Sequence, residues 1–509
     1  MSNSQFIPLK EKVASYSMCG IYAAIGQNRV DPVHDVAHRG PDDFKEVTYK
    51  NCDMKFWRLA INGDVGGEQP MYSGNRMMVC NGEIYNYLEL GGRYGASDCE
   101  VIMPLIGHLG MTRALESMNG DFAFVISDGK NCWAARDRVG VRPLFYVRYS
   151  GGIAFASEAK ALMQYEERID QFPPGHFYDS HFDQFFCYAP MYYPGSKHKI
   201  SSDEVKAEIQ DKLISAVKIR METTERPIGF FLSGGLDSSL IAAIGADLSD
   251  TPIKTFSIGF EGQDSPDLKA ARVVADYLNS DHTEITFSLQ EGLDAIKDVI
   301  WHLESYDTTT IRASVPMFLL SKYISEKTDI KVVLSGEGAD ELFGGYLYFH
   351  NSPNVAKFAL ETNRLVLDVH LFDVLRADRC TSAHGIELRV PFFDPDFIEY
   401  VMDGFNPSLK RTKLEKMILR KAFDGLLPDE ILYRQKNGMS DAVGYGWVDG
   451  IKEYCKSRWF QRTEEKYYKK IFNSHFGTFM ENLTPYMWLP KWSGNITDPS
   501  ARQLSVFNS

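Results

Sequence analysis

The sequence has no hydrophobic run long enough to cross a membrane. Apolar runs such as residues 122–126 and 332–334 are far shorter than the roughly 20 residues that a bilayer span requires. Residues 1–17 lack the apolar core of a secretory signal, and their mixed charges fit a transit peptide poorly. We therefore predict a cytoplasmic protein with no membrane partner.

Basic residues are also scarce. The chain has 55 Lys and Arg against 68 Asp and Glu, a formal net charge of −13, and no clustered basic stripe of the kind that binds a phosphate backbone. The eight cysteines form no CxxC pair and no metal-type spacing, which is typical of reduced thiols. We expect small-molecule partners and no nucleic acid, and a homodimer is the oligomer that we consider.

The length of 509 residues predicts two or three domains. The first part consists of short β-type runs separated by Gly, Asp and Asn turns, at residues 21–26, 76–81, 121–128 and 152–156. This pattern predicts an α+β domain of stacked antiparallel sheets. A stretch rich in Pro, Gly and Tyr at residues 188–197 has the composition of a connector, and we place the domain boundary near residue 195.

Beyond this boundary the hydrophobic period changes, and strands alternate with helices. We predict helices at residues 205–221, 238–248 and 268–278, and strands at residues 228–232, 254–258, 284–287 and 332–334. Such alternation indicates an α/β domain with a parallel sheet and right-handed crossovers. Parallel sheets of this kind bind ligands at the carboxyl ends of their strands.

Residues 233–239 (SGGLDSS) lie between a predicted buried strand and a helix. The glycines let the backbone approach a ligand, and free N–H groups at the helix start favour an anion. The run is not a Walker motif, because no Gly-Lys-Ser/Thr follows at the required spacing. It resembles the SGGxDS signature of ATP pyrophosphatases, which implies that residues 233–238 cradle pyrophosphate and that Asp237 holds Mg²⁺.

A second polar segment, residues 334–341 (LSGEGADE), also follows an apolar strand. Its carboxylates should lie at the same sheet edge as the first loop. Asp237 and Asp340 together would suit Mg²⁺, which normally takes one or two carboxylates plus phosphate and water. Glu337 is left for another task. Each acid taken alone is more typical of a solvated loop charge than of a metal ligand, and the pairing of the two loops reverses that judgement in favour of the metal.

Further motifs extend along nearly the whole chain. They include residues 18–21 (MCGI), 38–42 (HRGPD), 81–86 (NGEIYN), 97–100 (SDCE), 306–312 (YDTTTIR), 389–394 (RVPFFD), 434–436 (RQK) and 497–502 (TDPSAR). With these motifs the chain resembles the glutamine-hydrolysing asparagine synthetases. The resemblance implies an Ntn-hydrolase-like glutaminase of the type 2 amidotransferase class over residues 19–195. It implies an ATP pyrophosphatase domain that makes asparagine over residues 196–509.

In the glutaminase half, the resemblance assigns the nucleophile to Cys19, with its own α-amino group as the base. An α-amine with a pKa of about 7.7–8.0 is partly neutral at neutral pH and can accept the thiol proton. Asn81 and Gly82 would stabilise the oxyanion. The residues implied to bind glutamine are Arg58, Asn81, Gly82, Glu83 and Asp98. Taken alone, Cys19 is also compatible with a small buried core thiol.

In the synthetase half, the resemblance implies that ATP is a substrate and Mg²⁺ a cofactor. The implied nucleotide contacts are Leu232, Ser233, Gly234, Gly235, Asp237, Ser238, Ile258, Ser335 and Gly336. Lys436 would neutralise the phosphates, and Thr309 and Arg312 would hold aspartate. The β-carboxylate would become β-aspartyl-AMP, and Glu337 would take the proton released when ammonia attacks it.

Two alternatives remain open from the sequence. Relatives with this architecture include β-lactam synthetases and lasso-peptide cyclases, which adenylate other carboxylates; residues 309–312 and 389–392 favour aspartate. A binding or regulatory protein without chemistry would not require Asp237, Glu337, Asp340 and Lys436 together.

The first testable expectation concerns residues 1–18. Residues 1–18 precede Cys19, so its nitrogen belongs to a peptide bond, and the amine mechanism requires a chain that begins at Cys19. We expect initiation at Met18 followed by loss of the methionine, or removal of a leader. Intact-mass measurement of protein from its native source checks this expectation. A retained leader combined with full glutamine-dependent activity would refute the amine mechanism, and a retained leader with ammonium-dependent activity alone would mean an idle glutaminase half.

Overall fold

The computed structural model describes residues 18–59, 61, 68–94, 96–190, 201–262, 265–435, 445–457 and 463–494. Within these ranges, no helix combines the length and the apolar character needed to span a bilayer. The predicted domain boundary near residue 195 lies outside the described residues and stays a prediction.

The described amino-terminal half is built mainly from β-strands. They are β1 (Met18–Gly26), β2 (Asp43–Tyr49), β3 (Cys52–Leu59), β4 (Met71–Ser73), β5 (Arg76–Ile84), β6 (Gly120–Ser127), β7 (Cys132–Arg136), β8 (Phe145–Tyr149), β9 (Gly152–Ala156), β10 (Ile169–Gln171), β11 (His176–Asp179) and β12 (Gln184–Cys187). Among the described residues they form two sheets of six strands, ordered β10-β8-β9-β1-β3-β2 and β12-β11-β7-β6-β5-β4. Every neighbouring strand pair in these two sheets is antiparallel.

The two sheets are stacked face to face. Alternate residues of β1 and β3, such as Ile21 and Phe56, pack against alternate residues of β5, such as Val79, in one apolar core. The outer face of the second sheet is covered by helices α1 (Ile102–Leu109) and α2 (Met111–Ser117). The predicted α+β architecture with stacked antiparallel sheets is confirmed.

The carboxy-terminal half contains a parallel sheet. Its strands are β13 (Ile228–Phe231), β14 (Lys254–Phe260), β15 (Asp281–Phe287), β16 (Val332–Leu334) and β17 (Glu387–Arg389), in the order β15-β14-β13-β16-β17. Every neighbouring pair is parallel. The predicted α/β domain is therefore confirmed. Strand β17 was not predicted, because its three residues place two charged side chains around one leucine and lack the apolar run that marks the equally short β16.

Helices cover this sheet and extend beyond it. They are α3 (Ser202–Glu222), α4 (Leu236–Asp247), α5 (Pro266–Leu278), α6 (Leu289–Leu303), α7 (Thr308–Lys327), α8 (Ala339–Phe343), α9 (Val355–Asp368), α10 (Asp373–Ser382), α11 (Pro395–Glu399), α12 (Met417–Ala422), α13 (Asp429–Leu432), α14 (Tyr445–Ser457) and α15 (Glu464–Phe476). A π-helical turn at Tyr400–Gly404 follows α11. Short 3₁₀ turns lie at Asp98–Val101, Ala159–Tyr165, Leu347–Asn351, Val369–Leu371, Pro391–Phe393, Pro407–Leu409 and Thr478–Leu483.

Local signals explain several of these helix starts. Ser201 caps α3 by accepting from the backbone N–H of Glu204, whose side chain accepts in return from the Ser201 N–H. Such a capping box supplies partners for free N–H groups of the first turn. Ser265 caps α5 by accepting from the backbone N–H of Leu268. Pro266 occupies the first helical position, where proline is well tolerated. The predicted helices at 205–221, 238–248 and 268–278 agree with α3, α4 and α5 to within about three residues.

A buried ionic seam joins the two halves. Arg39, which is fully buried, donates to both carboxylate oxygens of Asp378 at 2.9 and 3.0 Å and to the Ser382 hydroxyl at 2.9 Å. It also donates to Glu158 at 3.1 Å. On the other side, Glu304 accepts from the backbone of Ala159 at 3.0 Å and of Lys160 at 2.6 Å. Residues far apart in the chain thus satisfy each other's charges in the interior.

Lys410 is buried without a carboxylate among its described contacts. Its ammonium donates to the carbonyl oxygen of Leu342 at 3.0 Å, near the end of α8, and lies over the rings of Phe343 and Phe405. Burial lowers the pKa of Lys410 to about 7. The folded state therefore disfavours the charged ammonium, because burial removes its hydration and no described carboxylate replaces it.

Replacing Lys410 by Met should weaken the rise of stability with pH. The unfolded chain holds this proton up to a pKa of about 10.4, whereas the folded chain releases it near pH 7, so folding becomes more favourable as pH rises between these values. From pH 7.5 to 9 the wild type should gain roughly 1 kcal/mol per pH unit over Lys410→Met, as measured by urea unfolding. The exposed Lys413→Met is the control and should keep the wild-type slope. Equal slopes for wild type and Lys410→Met would contradict this account.

Candidate active sites

The first candidate site lies between the two stacked antiparallel sheets. Side chains alternate along a strand, and in β1 the odd-numbered residues, including Cys19, face the other sheet. In β5 the residues Met77 and Val79 face the same core, so Asn81 also points towards β1. The two strands thereby bring Cys19 and Asn81 together across the sandwich.

Contacts confirm this approach. The backbone N–H of Cys19 donates to Oδ1 of Asn81 at 3.3 Å. The amide nitrogen Nδ2 of Asn81 is buried and has no hydrogen-bond partner among the described residues. A buried donor without a partner is unfavourable, and one beside a thiol is suited to stabilise an oxyanion. Gly82 allows close pairing with β6, since a Cβ there would lie 2.3 Å from the carbonyl oxygen of Asp121.

The other residues expected to bind glutamine surround this point. Arg58 of β3 is the direct pairing partner of Cys19. Asp98 is buried; its Oδ2 accepts from the backbone N–H of Ile84 at 2.6 Å, and its Oδ1 has no partner among the described residues. Burial raises the pKa of Asp98 to about 6. A guanidinium and a carboxylate with a free oxygen are complementary to the two charges of an amino acid.

Glu83 contacts the other half of the chain, and its predicted role in binding glutamine does not account for this contact. The Glu83 side chain is buried, and one carboxylate oxygen accepts from Nη2 of Arg389 in β17 at 3.2 Å. The pair therefore connects the glutaminase strand β5 with the parallel sheet of the other half. Direct binding of glutamine by Glu83 stays a prediction.

The Cys19 thiol is fully buried, and burial raises its pKa well above the usual value. A thiolate is the attacking species in thiol chemistry. A thiol with a raised pKa is almost entirely protonated at neutral pH, so this nucleophile requires an adjacent base.

The second candidate site is a cavity of about 240 Å³ in the carboxy-terminal half. It lies where β13 and β16 end, at the carboxyl edge of the parallel sheet. Both predicted loops line it, and so do residues of β14 and α7. The predicted site residues that the structure brings together here are Leu232, Ser233, Gly235, Asp237, Ser238, Ile258, Thr309, Ser335, Gly336, Glu337 and Asp340.

The first loop has the tight geometry of an anion site. Gly234 has a φ of +68°, and a Cβ there would lie 2.3 Å from the backbone nitrogen of Ala271. Only glycine fits such a position without strain. The backbone N–H of Ser233 donates to the Ser238 hydroxyl at 3.1 Å, and Arg434 donates to the carbonyl oxygen of Gly234 at 3.1 Å. The loop is thus closed by its own side chains and held from outside.

Glu337 lines the cavity beside a buried arginine. Nη2 of Arg376 donates to Oε1 of Glu337 at 2.8 Å, and Nη1 lies 2.6 Å from Asp373. Burial disfavours the charged guanidinium, but the carboxylates of Glu337 and Asp373 outweigh it, so the pKa of Arg376 lies above its usual range. The ion pair orients Glu337 at the cavity wall.

Asp237 and Asp340 converge on a common cation, the side-chain ammonium of Lys416. Nζ of Lys416 lies 2.8 and 2.7 Å from the two oxygens of Asp237 and 2.6 Å from Oδ1 of Asp340. Two carboxylates that meet at one point fit the needs of Mg²⁺, which takes one or two such ligands and completes its shell with phosphate and water. The donor set expected from the sequence is therefore compatible with the metal.

The two residues expected to hold aspartate have different positions. Thr309 lines the cavity, and its buried hydroxyl has no partner among the described residues. The guanidinium of Arg312 instead donates to both oxygens of Glu464 at 2.8 and 2.5 Å, and it is not among the described residues that line the cavity. Lys436 lies outside the described residues, although its neighbours Arg434 and Gln435 line the cavity.

Comparisons with known proteins match both halves of the chain. The asparagine synthase family model matches residues 208–365 and 357–488, and a glutamine amidotransferase domain model matches residues 18–204. An asparagine synthetase [glutamine-hydrolyzing] of Zea mays is 39% identical over 563 residues, covering 97% of this chain and 94% of the relative. A probable asparagine synthetase [glutamine-hydrolyzing] of Acanthamoeba polyphaga mimivirus is 39% identical, covering 96% and 100%.

The chain belongs to the glutamine-hydrolysing asparagine synthetase family. Solved structures give much weaker matches. The allosteric regulatory enzyme of purine biosynthesis has a TM-score of 0.30 and 19% identity, covering 48% of this chain and 67% of that chain. NMN synthetase from Francisella tularensis has a TM-score of 0.27 and 12% identity, covering 58% and 100%. The family assignment rests on the sequence relatives.

The sequence analysis of this asparagine synthetase family member gave no role to several charged cavity residues, among them Lys416, Arg376 and Asp373. No local signal indicated them. Arg376 and Asp373 lie on α10 and Lys416 immediately precedes α12, where charged residues are ordinarily solvated. Their partners Glu337 and Asp237 are 39 and 179 residues away in the chain.

The raised pKa of Asp98 predicts an acid limb for glutamine use. Below about pH 6 Asp98 is protonated, so it no longer attracts an ammonium group, and kcat/KM for glutamine should fall, approaching tenfold per pH unit. Asp98→Asn should raise KM for glutamine roughly tenfold or more at pH 7.5, the scale of a lost charge-assisted hydrogen bond.

Steady-state glutamine hydrolysis across pH 5–8 measures both effects. Ammonium-dependent synthesis serves as the control and should be equal in wild type and Asp98→Asn at each pH. An unchanged KM in the variant at pH 7.5 would rule out the ammonium contact, whereas the acid limb from protonation of the Cys19 α-amine is expected in both proteins.

Proposed function

We propose that the protein is an asparagine synthetase that converts L-aspartate, ATP and glutamine into L-asparagine, AMP, pyrophosphate and glutamate. The observation that carries the proposal is the convergence of both loops and Glu337 on one cavity at the carboxyl edge of the parallel sheet. Family membership and the amidotransferase half supply the substrate class.

Aspartate is activated first. Its β-carboxylate oxygen attacks the α-phosphorus of ATP, the bond to the bridging oxygen breaks, and pyrophosphate leaves. Loop residues 233–238 are suited to hold the leaving pyrophosphate, since the glycines admit its oxygens and the start of α4 presents free N–H groups. The unpaired hydroxyl of Thr309 is a donor for bound aspartate, and we keep Lys436 as a phosphate contact and Arg312 as an aspartate contact as predicted.

Ammonia then attacks the acyl carbon of β-aspartyl-AMP. The tetrahedral intermediate carries a positive nitrogen, which must lose a proton before the bond to AMP breaks. Glu337 is the acceptor that we propose, because its carboxylate faces the cavity and is oriented by Arg376. General base catalysis of this kind typically contributes 10²–10⁴ in rate.

Glutamine supplies the ammonia in the other half. The Cys19 α-amino group takes the thiol proton and the sulfur attacks the carboxamide carbon, while Nδ2 of Asn81 and the N–H of Gly82 stabilise the oxyanion. The amide nitrogen accepts that proton and leaves as ammonia, and water then hydrolyses the γ-glutamyl thioester to glutamate and the free thiol. Arg58 and Asp98 would bind the carboxylate and the ammonium of glutamine. Support comes from the buried, unpaired Nδ2 of Asn81 and Oδ1 of Asp98.

A divalent cation belongs to the same proposal. Mg²⁺ would be held by Asp237 and Asp340, where it would neutralise the phosphates of ATP. We also propose a cytoplasmic location, because ATP, aspartate and glutamine are available there.

The decisive experiment supplies purified protein with ATP, Mg²⁺ and aspartate, and with either glutamine or ammonium. Asparagine, AMP and pyrophosphate should appear in equal amounts, and glutamine should give glutamate. A panel of other carboxylic acids tests the alternative substrates. AMP formation that does not depend on aspartate would reject the proposal in favour of another acid or a protein without this chemistry.

Glu337→Gln should abolish asparagine formation from both nitrogen sources while glutamine hydrolysis persists. The expected loss is at least about 10²-fold, because both routes meet at the same acyl-adenylate. Glu326→Gln, an exposed change on α7, is the matched control and should behave as wild type. Ammonium-dependent activity within about threefold of wild type, a change below 1 kcal/mol, would remove Glu337 from the mechanism.

A further inference from the structure

The wall of the nucleotide cavity includes a residue from the carboxy-terminal end of the described chain, Trp488, which has no assigned task. Trp488 is only 7% exposed, and its indole ring packs against Tyr346, another wall residue, with the ring centroids 5.5 Å apart. A large aromatic side chain in a packed interior has little room to move. The indole is therefore a fixed part of the shape of the cavity.

One buried carboxylate holds both Trp488 and the start of α7. Oδ1 of Asp307 accepts from the backbone N–H of Trp488 at 2.8 Å. Oδ2 accepts from the backbone N–H and the hydroxyl of Thr310 at 2.8 and 2.7 Å, which caps the helix. Thr309, the cavity residue expected to hold aspartate, lies between Asp307 and Thr310 in the chain. The position of Trp488 is thus set relative to the expected aspartate contact.

Further hydrogen bonds anchor the segment that leads to Trp488. The hydroxyl of Thr484 accepts from the backbone N–H of Tyr306 at 3.4 Å and lies 3.3 Å from the Ser305 hydroxyl. Asn482 donates to the carbonyl oxygen of Ile169, in β10 of the other half, at 2.8 Å. Ser305 and Thr484 are buried, so moving the segment would leave buried polar groups without partners, which is unfavourable.

A line of contacts connects Trp488 with the proposed base. The hydroxyl of Tyr346, which packs against the indole, donates to Oδ2 of Asp373 at 3.2 Å. Asp373 lies 2.6 Å from Nη1 of Arg376, whose Nη2 donates to Glu337 at 2.8 Å. Trp488 therefore belongs to the part of the wall that surrounds Glu337 and the acid to be activated.

We propose that Trp488 determines which carboxylic acid is activated, because it ends the acid pocket at the length of a four-carbon dicarboxylic amino acid. The indole occupies the volume that the additional methylene of L-glutamate would need. Both acids offer the same two carboxylates and one ammonium, so polar contacts alone discriminate poorly between them, and a rigid wall excludes the longer acid by overlap. This inference rests on the proposed function, and it names the residue that selects the substrate.

The test compares L-aspartate with L-glutamate in acid-dependent exchange of pyrophosphate into ATP, which reports activation of the acid alone. Trp488→Ala opens the wall, so the ratio of kcat/KM for aspartate to kcat/KM for glutamate should fall at least about tenfold, the lower end of what one methylene is worth in a pocket. Both acids are measured on the same preparation, so partial unfolding of the variant does not change the ratio.

Two further variants complete the test. Trp488→Leu keeps an apolar side chain in the wall and replaces Trp488→Ala if that variant does not fold; its ratio should fall at least about threefold. Trp492→Ala is the matched control. Trp492 packs against Tyr348 and Phe349 in the same aromatic cluster but is not among the described residues that line the cavity, so its loss should leave the wild-type ratio.

Three outcomes would overturn the proposal. They are a ratio that falls by less than about threefold in the folded variant, an equal fall in Trp492→Ala, and loss of exchange with both acids in a folded variant, which would make Trp488 a structural residue.

Failure of the proposed function gives a different result. If the wild type exchanges pyrophosphate with a carboxylic acid other than aspartate, the proposed function fails. The inference is then decided by comparing that acid with its homologue one methylene longer in wild type and Trp488→Ala. A wild type without exchange for any acid would overturn both, whereas an unchanged ratio in an aspartate-specific enzyme overturns the inference alone.

Discussion

The structure depends on a buried guanidinium at the junction of its two halves. Arg39 has no access to water, so its charge must be neutralised by protein, and Asp378, Glu158 and Ser382 do so from both sides of the junction. Removing one partner of a buried ion pair typically costs 3–5 kcal/mol, because the other charge is left uncompensated. Separation of the halves would expose this seam, so the buried ion pairs oppose it.

Arg389 extends the same constraint to both sites. Its backbone carbonyl accepts from the N–H of Ser335, the first residue after β16, and its guanidinium contacts Glu83 of β5, two residues beyond Asn81. One residue therefore touches the strand that carries the oxyanion donor and the loop that carries Glu337. The buried position of Glu83 is best understood as part of this connection, whether or not it also contacts glutamine.

Much of the fold was predictable because its signals are local. Strands β13, β14 and β16 and helices α3, α4 and α5 follow from hydrophobic period, capping residues and Gly-rich turns, which act over a few residues. Strand β17 escaped prediction because its three residues are stabilised by pairing with β16 and by buried charges, neither of which has a local pattern. Arg312 is a related case, since its partner Glu464 is 152 residues away.

The sequence by itself determined the chemistry of the two nucleotide loops. The runs at 233–239 and 334–341 each follow a buried strand, and strands of a parallel sheet end at one edge, so Asp237, Glu337 and Asp340 had to lie close together. Only the tertiary structure decided which cations face these acids. Lys416 reaches Asp237 across 179 residues, and Arg389 reaches Glu83 across 306. Such pairs are set by how the chain folds back on itself, and a lysine or arginine has the same appearance in the sequence whether it ends in water or between two carboxylates.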